Sequence, residues 1–352
     1  MEYRPLGHSD HTDIKVSAIC LGTMTWGQQN TQAEGFEQMD YALAQGVNFF
    51  DTAEAYPIPP MAKTHAETER IIGRWFKERG TRDQVVLATK VAGRTPSDWF
   101  REGGIEVRLN AQQIEWAAEQ SLKRLQTDRI DLYQLHWPDR RIPNFGLGGL
   151  GYKRYKQQDP IAPHETLEAL SRLVKAGKVR YVGLSNETPW GLQAFLKAAD
   201  QHDLPRVVSV QNAYNLVNRA YEIGMSEFFF EEQVGLLAYS PLAQGFLSGK
   251  YLDGAKPEGA RFTLFDRGQR YQTVQAESAI RSYLDIAARH QMDPTMMANA
   301  FVTAQPFVTS NIIGATTMEQ LRIAIEGCQL ELSEEVIKEI NEAHVLQPNP
   351  CP

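Results

Sequence analysis

A chain of 352 residues exceeds the usual domain size but fits an α/β barrel with insertions, so length alone does not require two domains. With 42% apolar and 22% charged residues the composition is that of an ordinary globular protein, and a net charge of −7 without a basic run argues against a nucleic-acid or anionic-membrane partner. Three cysteines, Cys20, Cys328 and Cys351, lack CxxC or zinc-ligand spacing and imply neither a disulfide framework nor a structural metal.

The opening residues, MEYRPLGHSD, lack the basic region and apolar core of a signal peptide, and no apolar stretch is long enough to span a bilayer, so a cytoplasmic enzyme is expected. EYRPLG and DIKVSAICLG read as a hairpin. The HSDHTD turn between them, with His8, Asp10, His11 and Asp13, reads as a solvated loop rather than a metal site. Apolar β-rich runs then alternate with helix-period segments, the βα signature. Strands are expected over 18–21, 47–51, 84–89, 130–136, 179–185, 207–211, 235–239 and 307–313. Helices are expected over 33–45, 67–79, 111–125, 164–176, 189–202, 276–290 and 318–328. Eight such units without a break in composition match one (β/α)8 TIM barrel domain over 1–352, with an N-terminal hairpin and extra C-terminal helices, better than an open doubly wound sheet. SEEVIKEINEA reads as an added helix capped by Ser333, and the tail LQPNPCP as loosely held.

Three long interruptions, 57–65, 138–163 and 245–270, fall where a barrel places its functional βα loops. GLGGLG at 146–151 satisfies G-x-G-x-x-G only formally. It follows DRRIPNF rather than a buried strand and leads into polar YKRYKQQDP rather than a helix, so it reads as a loop and not as a dinucleotide fingerprint.

Four polar residues stand at or just past the ends of separate apolar runs: Asp51 and Tyr56 in VNFFDTAEAY, Lys90 in QVVLATK and His136 in IDLYQLHW. One barrel rim gathers all four. A lysine inside a barrel mouth needs an acid, and Asp51 is its natural partner. A Lys–Asp pair beside Tyr56 favours the phenolate and is expected to draw its pKa down toward neutrality, making Tyr56 a proton donor. Taken singly, a structural ion-pair network beside a surface tyrosine is the plainer reading.

FDTAEAYP, ATK, LYQLHWP, YVGLSNE, VQNAYNLVNR, AYSPLAQGFLSGKY and IIGATTMEQL, in that order, resemble the aldo-keto reductase superfamily along nearly the whole chain, nearer to bacterial Tas-type reductases than to potassium-channel β-subunits. The resemblance implies a nicotinamide cofactor, NADPH/NADP+, held across the barrel mouth without a Rossmann domain. It makes Tyr56 the general acid, tuned by Lys90 and Asp51, with His136 orienting the carbonyl of a small-molecule substrate. Ser185, Asn186 and Gln211 match positions that bond the nicotinamide carboxamide, Tyr239 the aromatic that stacks on the ring, and Gly22 and Thr23 lie near its ribose. Asn186 as a helix cap and Tyr239 as barrel packing are the plainer alternatives. Ser240, Leu242, Gln244, Gly245, Ser248 and Lys250 correspond to the loop over the pyrophosphate, Arg261 is a candidate for the adenosine 2′-phosphate, and Gly314, Thr316 and Gln320 match the adenosine segment. Where many family members carry Glu and Asn toward the adenine, this chain has Ile323 and Ala324. Trp26, Trp99, Phe100, Trp137, Phe145 and Tyr214 are expected to wall the substrate pocket and to favour an apolar carbonyl compound. Two other classes compete: an NADP(H)-sensing regulatory subunit with little turnover, and a metal-dependent barrel hydrolase, for which the strand-end His and Asp ligands are lacking.

Overall fold

The computed structural model describes residues 1–142, 155–156 and 159–352. A hairpin of β1 (Tyr3–Pro5) and β2 (Lys15–Ser17) precedes the barrel. The barrel strands are β3 (Ile19–Gly22), β4 (Phe49–Asp51), β5 (Val86–Val91), β6 (Ile130–Leu135), β7 (Val179–Ser185), β8 (Val207–Ala213), β9 (Gly235–Tyr239) and β10 (Val308–Ile313). They close in the order β10-β3-β4-β5-β6-β7-β8-β9, every pair parallel. This is the expected (β/α)8 barrel. Its strands read as nearly continuous apolar runs because helices cover one face and the barrel interior the other; all six residues of β6 are buried.

The helices are α1 (Gln32–Ala44), α2 (Glu67–Arg79), α3 (Ala111–Leu125), α4 (Pro163–Lys175), α5 (Pro189–His202), α6 (Glu227–Glu232), α7 (Arg261–Phe265), α8 (Ala276–Arg289), α9 (Pro294–Thr303), α10 (Met318–Cys328) and α11 (Glu334–Leu346). Side chains of Thr31, Asn110, Thr188, Asp293, Thr317 and Ser333 accept backbone N–H groups at the starts of α1, α3, α5, α9, α10 and α11. Such caps satisfy donors that a helix leaves orphaned. The sequence reading omitted α9. Seven of its ten residues are buried, so PTMMANAFVT carries no polar stripe from which a helical period could be read.

The hairpin plugs the N-terminal end of the barrel. Leu6, Ile14 and Val16 pack with Cys20, Phe49, Ala88, Leu132, Val208, Leu237 and Ile312, an apolar floor beneath the polar layer described below. Gly7 makes this approach feasible: its φ is +87°, and a Cβ there would stand 2.8 Å from Val208 Cβ. The C-terminal tail is not loose as the sequence suggested. Cys351 is fully buried and its N–H donates to Val217 O at 3.0 Å. Among the described residues, no helix is long and apolar enough to cross a membrane.

Candidate active site at the C-terminal mouth

Asp51 ends β4, Lys90 lies one residue inside the end of β5, and His136 follows β6 directly, so parallel strand order delivers all three to one rim. Tyr56 arrives on the loop after β4. Lys90 is fully buried and its Nζ donates to Asp51 Oδ2 at 2.6 Å, to the Thr52 carbonyl at 2.8 Å and to Tyr56 Oη at 3.2 Å. The Tyr56 and His136 rings meet edge to face, with centroids 5.6 Å apart.

Electrostatics differ from the sequence expectation in sign. Burial raises the Tyr56 phenol above its ordinary value; Lys90 pulls it down and Asp51 adds to the rise, leaving it raised overall. Burial also pulls Lys90 down, but Asp51 and Tyr56 together outweigh it, and Lys90 stays charged. His136 is pushed well below its usual value by burial and then by Lys90, so it is neutral, and its Nδ1 has no hydrogen-bond partner among the described residues. A protonated phenol beside a buried ammonium is suited to giving up a proton and retaining the negative charge.

Sequence reasoning missed Gln134. It is fully buried and donates to Asp51 Oδ1 at 3.0 Å, while Gln211 Nε2 donates to the same oxygen at 2.9 Å and to Gln134 Oε1 at 3.1 Å. The signal was the strand period: Gln134 lies two residues before His136, on the same side of β6. Asp51 is thus held by an ammonium and two amides. Gln211 uses its Nε2 here, leaving Oε1 without a partner among the described residues.

Ser185 Oγ donates to the Gln211 carbonyl at 2.9 Å. Asn186 Nδ2 donates to the His136 carbonyl at 2.9 Å and to Ser185 Oγ at 3.1 Å, and Asn186 Oδ1 accepts from Tyr239 Oη at 2.7 Å. Asn186 has φ +53°, a left-handed conformation that asparagine tolerates better than most residues. It is not the side-chain cap of α5; Thr188 is. What Ser185, Asn186 and Gln211 retain toward the mouth is largely acceptor capacity, which a primary amide's N–H groups would fill.

Gly22 has no room for a side chain: a Cβ would lie 2.9 Å from Ile313 O. Thr23 Oγ1 donates to the Asp51 carbonyl at 2.9 Å. In the loop after β9, Ser240, Gln244, Gly245 and Gly249 all have positive φ, and Ser248 Oγ donates to Gly245 O at 2.8 Å. Leu242 is partly buried against the core behind this loop. Lys250 is exposed, and no carboxylate among the described residues lies within ion-pair distance of Lys250 or Arg261. Arg261 Nη1 sits 3.8 Å from the Sδ of Met24, the residue after Thr23, its Nε has no partner among the described residues, and burial lowers its pKa to about 10. It makes no hydrogen bond to Thr316 or Gln320. At that end Gln320 Oε1 accepts from Thr316 N at 3.0 Å and Thr316 Oγ1 at 3.1 Å, and Gly314 is open to a Cβ. Ala324 is buried in the packing between helices and barrel, while Ile323 is half-buried.

The aromatic residues divide. Trp99 and Phe100 stack with centroids 4.1 Å apart, His65 meets both edge-on at 5.1 Å, and Trp137 lies 4.9 Å from the His136 ring. Trp99, Phe100 and Trp137 pack in one cluster with Ala55, Ala92 and Val107. Two expected wall residues do not belong to it. Trp26 is fully buried, donates to Gln38 Oε1 at 2.9 Å and packs between barrel and helices. Tyr214 is fully buried against Phe301 and Phe307, its hydroxyl donating to Glu222 at 2.6 Å. In both, the ring turns to the helix side, which the aromatic's position just beyond a strand could not reveal. Phe145 and the 146–151 glycine run lie outside the described residues. Glu54, fully buried, takes both Arg101 Nη groups at 2.9 Å and Ala92 N at 2.7 Å, tying the Tyr56 loop to the segment after β5. Of the HSDHTD turn, Asp13 accepts from Tyr181 Oη and Arg180, and no cluster of three or more His, Cys, Asp or Glu among the described residues is placed to hold a metal.

Comparison with known proteins gives a concordant result. The sequence model of the Aldo/keto reductase family matches residues 18–345. The chain is similar to Protein tas of Escherichia coli K12, with 47% identity over 354 residues covering 100% of both chains. It is similar to the uncharacterized oxidoreductase YrpG of Bacillus subtilis, 35% identical over 97% of this chain and 95% of that one. A probable voltage-gated potassium channel subunit beta of Arabidopsis thaliana is 29% identical over 92% and 89% of the two chains.

Proposed function

The chain belongs to the aldo/keto reductase family and is an oxidoreductase, and from that premise we propose that it reduces an aldehyde or ketone with NADPH, reversibly, as one barrel domain. The observation that carries this reading is Lys90 Nζ lying between Asp51 Oδ2 and Tyr56 Oη at the mouth. A nicotinamide held at this mouth would supply the hydride that the carbonyl carbon takes up. Tyr56 Oη gives its proton to the carbonyl oxygen as negative charge develops there. Lys90 stabilises the phenolate that remains, while Asp51, gripped by Gln134 and Gln211, keeps the ammonium in register. His136, neutral, orients the carbonyl and presents a polar edge without competing as a second cation.

The residues fit a nicotinamide dinucleotide. A guanidinium whose buried Nε has no partner among the described residues, and a lysine with no carboxylate among them in ion-pair distance, flank a loop rich in positive φ, an arrangement suited to an anion. Arg261 and Lys250 would hold phosphate, Ser185, Asn186 and Gln211 the carboxamide, Tyr239 the ring face, Gly22 and Thr23 the ribose. Gly314, Thr316 and Gln320 would hold the adenosine, with Ile323 and Ala324 offering the adenine no polar contact. Trp99, Phe100 and Trp137 favour an apolar carbonyl compound. The second reading, a nucleotide-sensing subunit with little turnover, is favoured by the potassium-channel similarity but leaves the buried Asp51–Lys90–Tyr56 arrangement without a use. A steady-state assay of a panel of aldehydes and ketones with NADPH and NADH tests the proposal. Turnover by the wild-type protein that Tyr56→Phe abolishes is expected; tight NADPH binding without turnover on any carbonyl would overturn it in favour of the sensor.

A further inference from the structure

A continuous path of hydrogen bonds runs from the C-terminal segment to His136. Arg270 Nε donates to Pro352 O at 3.3 Å, and Arg270 Nη1 donates to Tyr239 Oη at 3.3 Å. Tyr239 Oη donates in turn to Asn186 Oδ1 at 2.7 Å, and Asn186 Nδ2 donates to the His136 carbonyl at 2.9 Å. The far end of this path is anchored. Arg219 N donates to Asn349 Oδ1 at 2.6 Å, Thr273 Oγ1 to Pro350 O at 2.6 Å, and Cys351 N to Val217 O at 3.0 Å. Cys351 itself is buried in the main apolar cluster. No acidic side chain among the described residues pairs with Arg270. Its guanidinium sits instead beside the Tyr239 and Tyr271 phenols, and their proximity outweighs burial to keep it charged.

We infer that Arg270 is a positioning residue for the nicotinamide half of the cofactor, fixing the Tyr239 ring by clamping its hydroxyl between the C-terminal segment and Asn186. The inference rests on the cofactor reading given above. A tyrosine that stacks on a ligand has a free torsion about its own ring axis and a swing of the whole ring. A hydroxyl held from two sides removes the swing, so the face is set before the ligand arrives. The same path makes residues 349–352 part of the site, although they lie more than a hundred positions from Tyr239 in sequence. Ordering at the ring is therefore communicated to the tail.

Calorimetric titration of NADP+ and of 2′,5′-ADP, which lacks the nicotinamide, against wild type, Arg270→Met, Arg270→Lys, Tyr239→Phe and the Arg270→Met/Tyr239→Phe pair tests this. Arg270→Met is expected to weaken NADP+ about tenfold and to leave 2′,5′-ADP unchanged, Arg270→Lys to recover part of the loss, and the loss to vanish in the Tyr239→Phe background. Hydrogen exchange of a peptide spanning 349–352 is expected to slow when NADP+ binds to wild type and not when it binds to Arg270→Met. Equal losses for both nucleotides, no loss, or full additivity of the pair would overturn the inference while leaving the cofactor reading intact. Failure of wild type to bind either nucleotide would overturn the cofactor reading and the inference with it. Should Arg270→Met not fold, Arg270→Lys and Tyr239→Phe carry the same comparison.

Discussion

Lys90 Nζ lies 3.2 Å from Tyr56 Oη and 2.6 Å from Asp51 Oδ2, so one ammonium serves a phenol and a carboxylate in a layer closed to water. Replacing Tyr56 by phenylalanine keeps the ring against His136 and removes only the proton. Turnover is expected to fall about 10²–10⁴-fold with nucleotide affinity nearly unchanged. Because burial raises the Tyr56 pKa, the phenol stays protonated through neutral and mildly alkaline pH. The reductive rate should therefore hold level there and decline only where the phenol ionises, above its ordinary range. A wild-type rate that falls between pH 7 and 9 through loss of one proton from the enzyme would contradict this.

The Asp51–Lys90 pair is fully desolvated, and its two members should not be independently replaceable. Lys90→Met leaves Asp51 with the amides of Gln134 and Gln211 but no counter-charge, and Asp51→Asn leaves Lys90 without its carboxylate. Each single change is expected to cost about 3–5 kcal/mol of stability, and the double change distinctly less than the sum. Denaturant unfolding of the four proteins measures this, and strict additivity would mean the pair is not coupled.

Much of this was legible in the sequence because the barrel repeats one simple signal. Several strands are apolar runs that stop at or beside a polar residue, and Asp51, Lys90 and His136 mark three such stops. Gln134 was less visible: inside IDLYQL a buried glutamine looks like any polar interruption, and its value depends on partners from β4 and β8, distant in sequence. Trp26 and Tyr214 were misassigned for the complementary reason, since a residue just past a strand can turn either way and only packing decides. The tail was misjudged because LQPNPCP has the composition of a frayed end, whereas its anchors, Val217, Arg219 and Thr273, lie on loops that sequence cannot bring together.

Burial lowers the His65 pKa from 6.5 to about 4 where its ring packs edge-on against Trp99 and Phe100. The folded-state value lies below the unfolded one, so the unfolded chain takes up the proton first as pH falls. This contribution to stability is complete above about pH 6.5 and is lost progressively toward pH 4, up to about 3 kcal/mol in all. His65→Phe, which keeps an aromatic ring and cannot ionise, should show a shallower fall in unfolding free energy across that window. Superimposable pH–stability curves for the two proteins would rule His65 out as the titrating group.

Arg261 is a guanidinium held in an unfavourable environment. Its Nη1 rests on a thioether, its Nε has no partner among the described residues, and burial has brought its pKa to about 10. A guanidinium in that state costs the apo protein stability, so Arg261→Ala should leave the apo melting temperature unchanged or raise it, as expected where a functional group is held against local preference. From its contact with Met24, the residue after Thr23, we expect Arg261 to meet the bridging phosphates common to both nicotinamide dinucleotides. Because charge-assisted hydrogen bonds contribute about 1.5–3 kcal/mol, its loss should weaken NADPH and NADH alike, by roughly ten- to a hundredfold. Lys250, whose ammonium lies 5.2 Å over the Tyr251 ring with no carboxylate among the described residues in ion-pair distance, is the cation we expect at the 2′-phosphate, and Lys250→Ala should weaken NADPH more than NADH. Fluorescence titration of both cofactors against the two variants distinguishes the roles: a loss confined to NADPH in Arg261→Ala would move Arg261 to the 2′-phosphate.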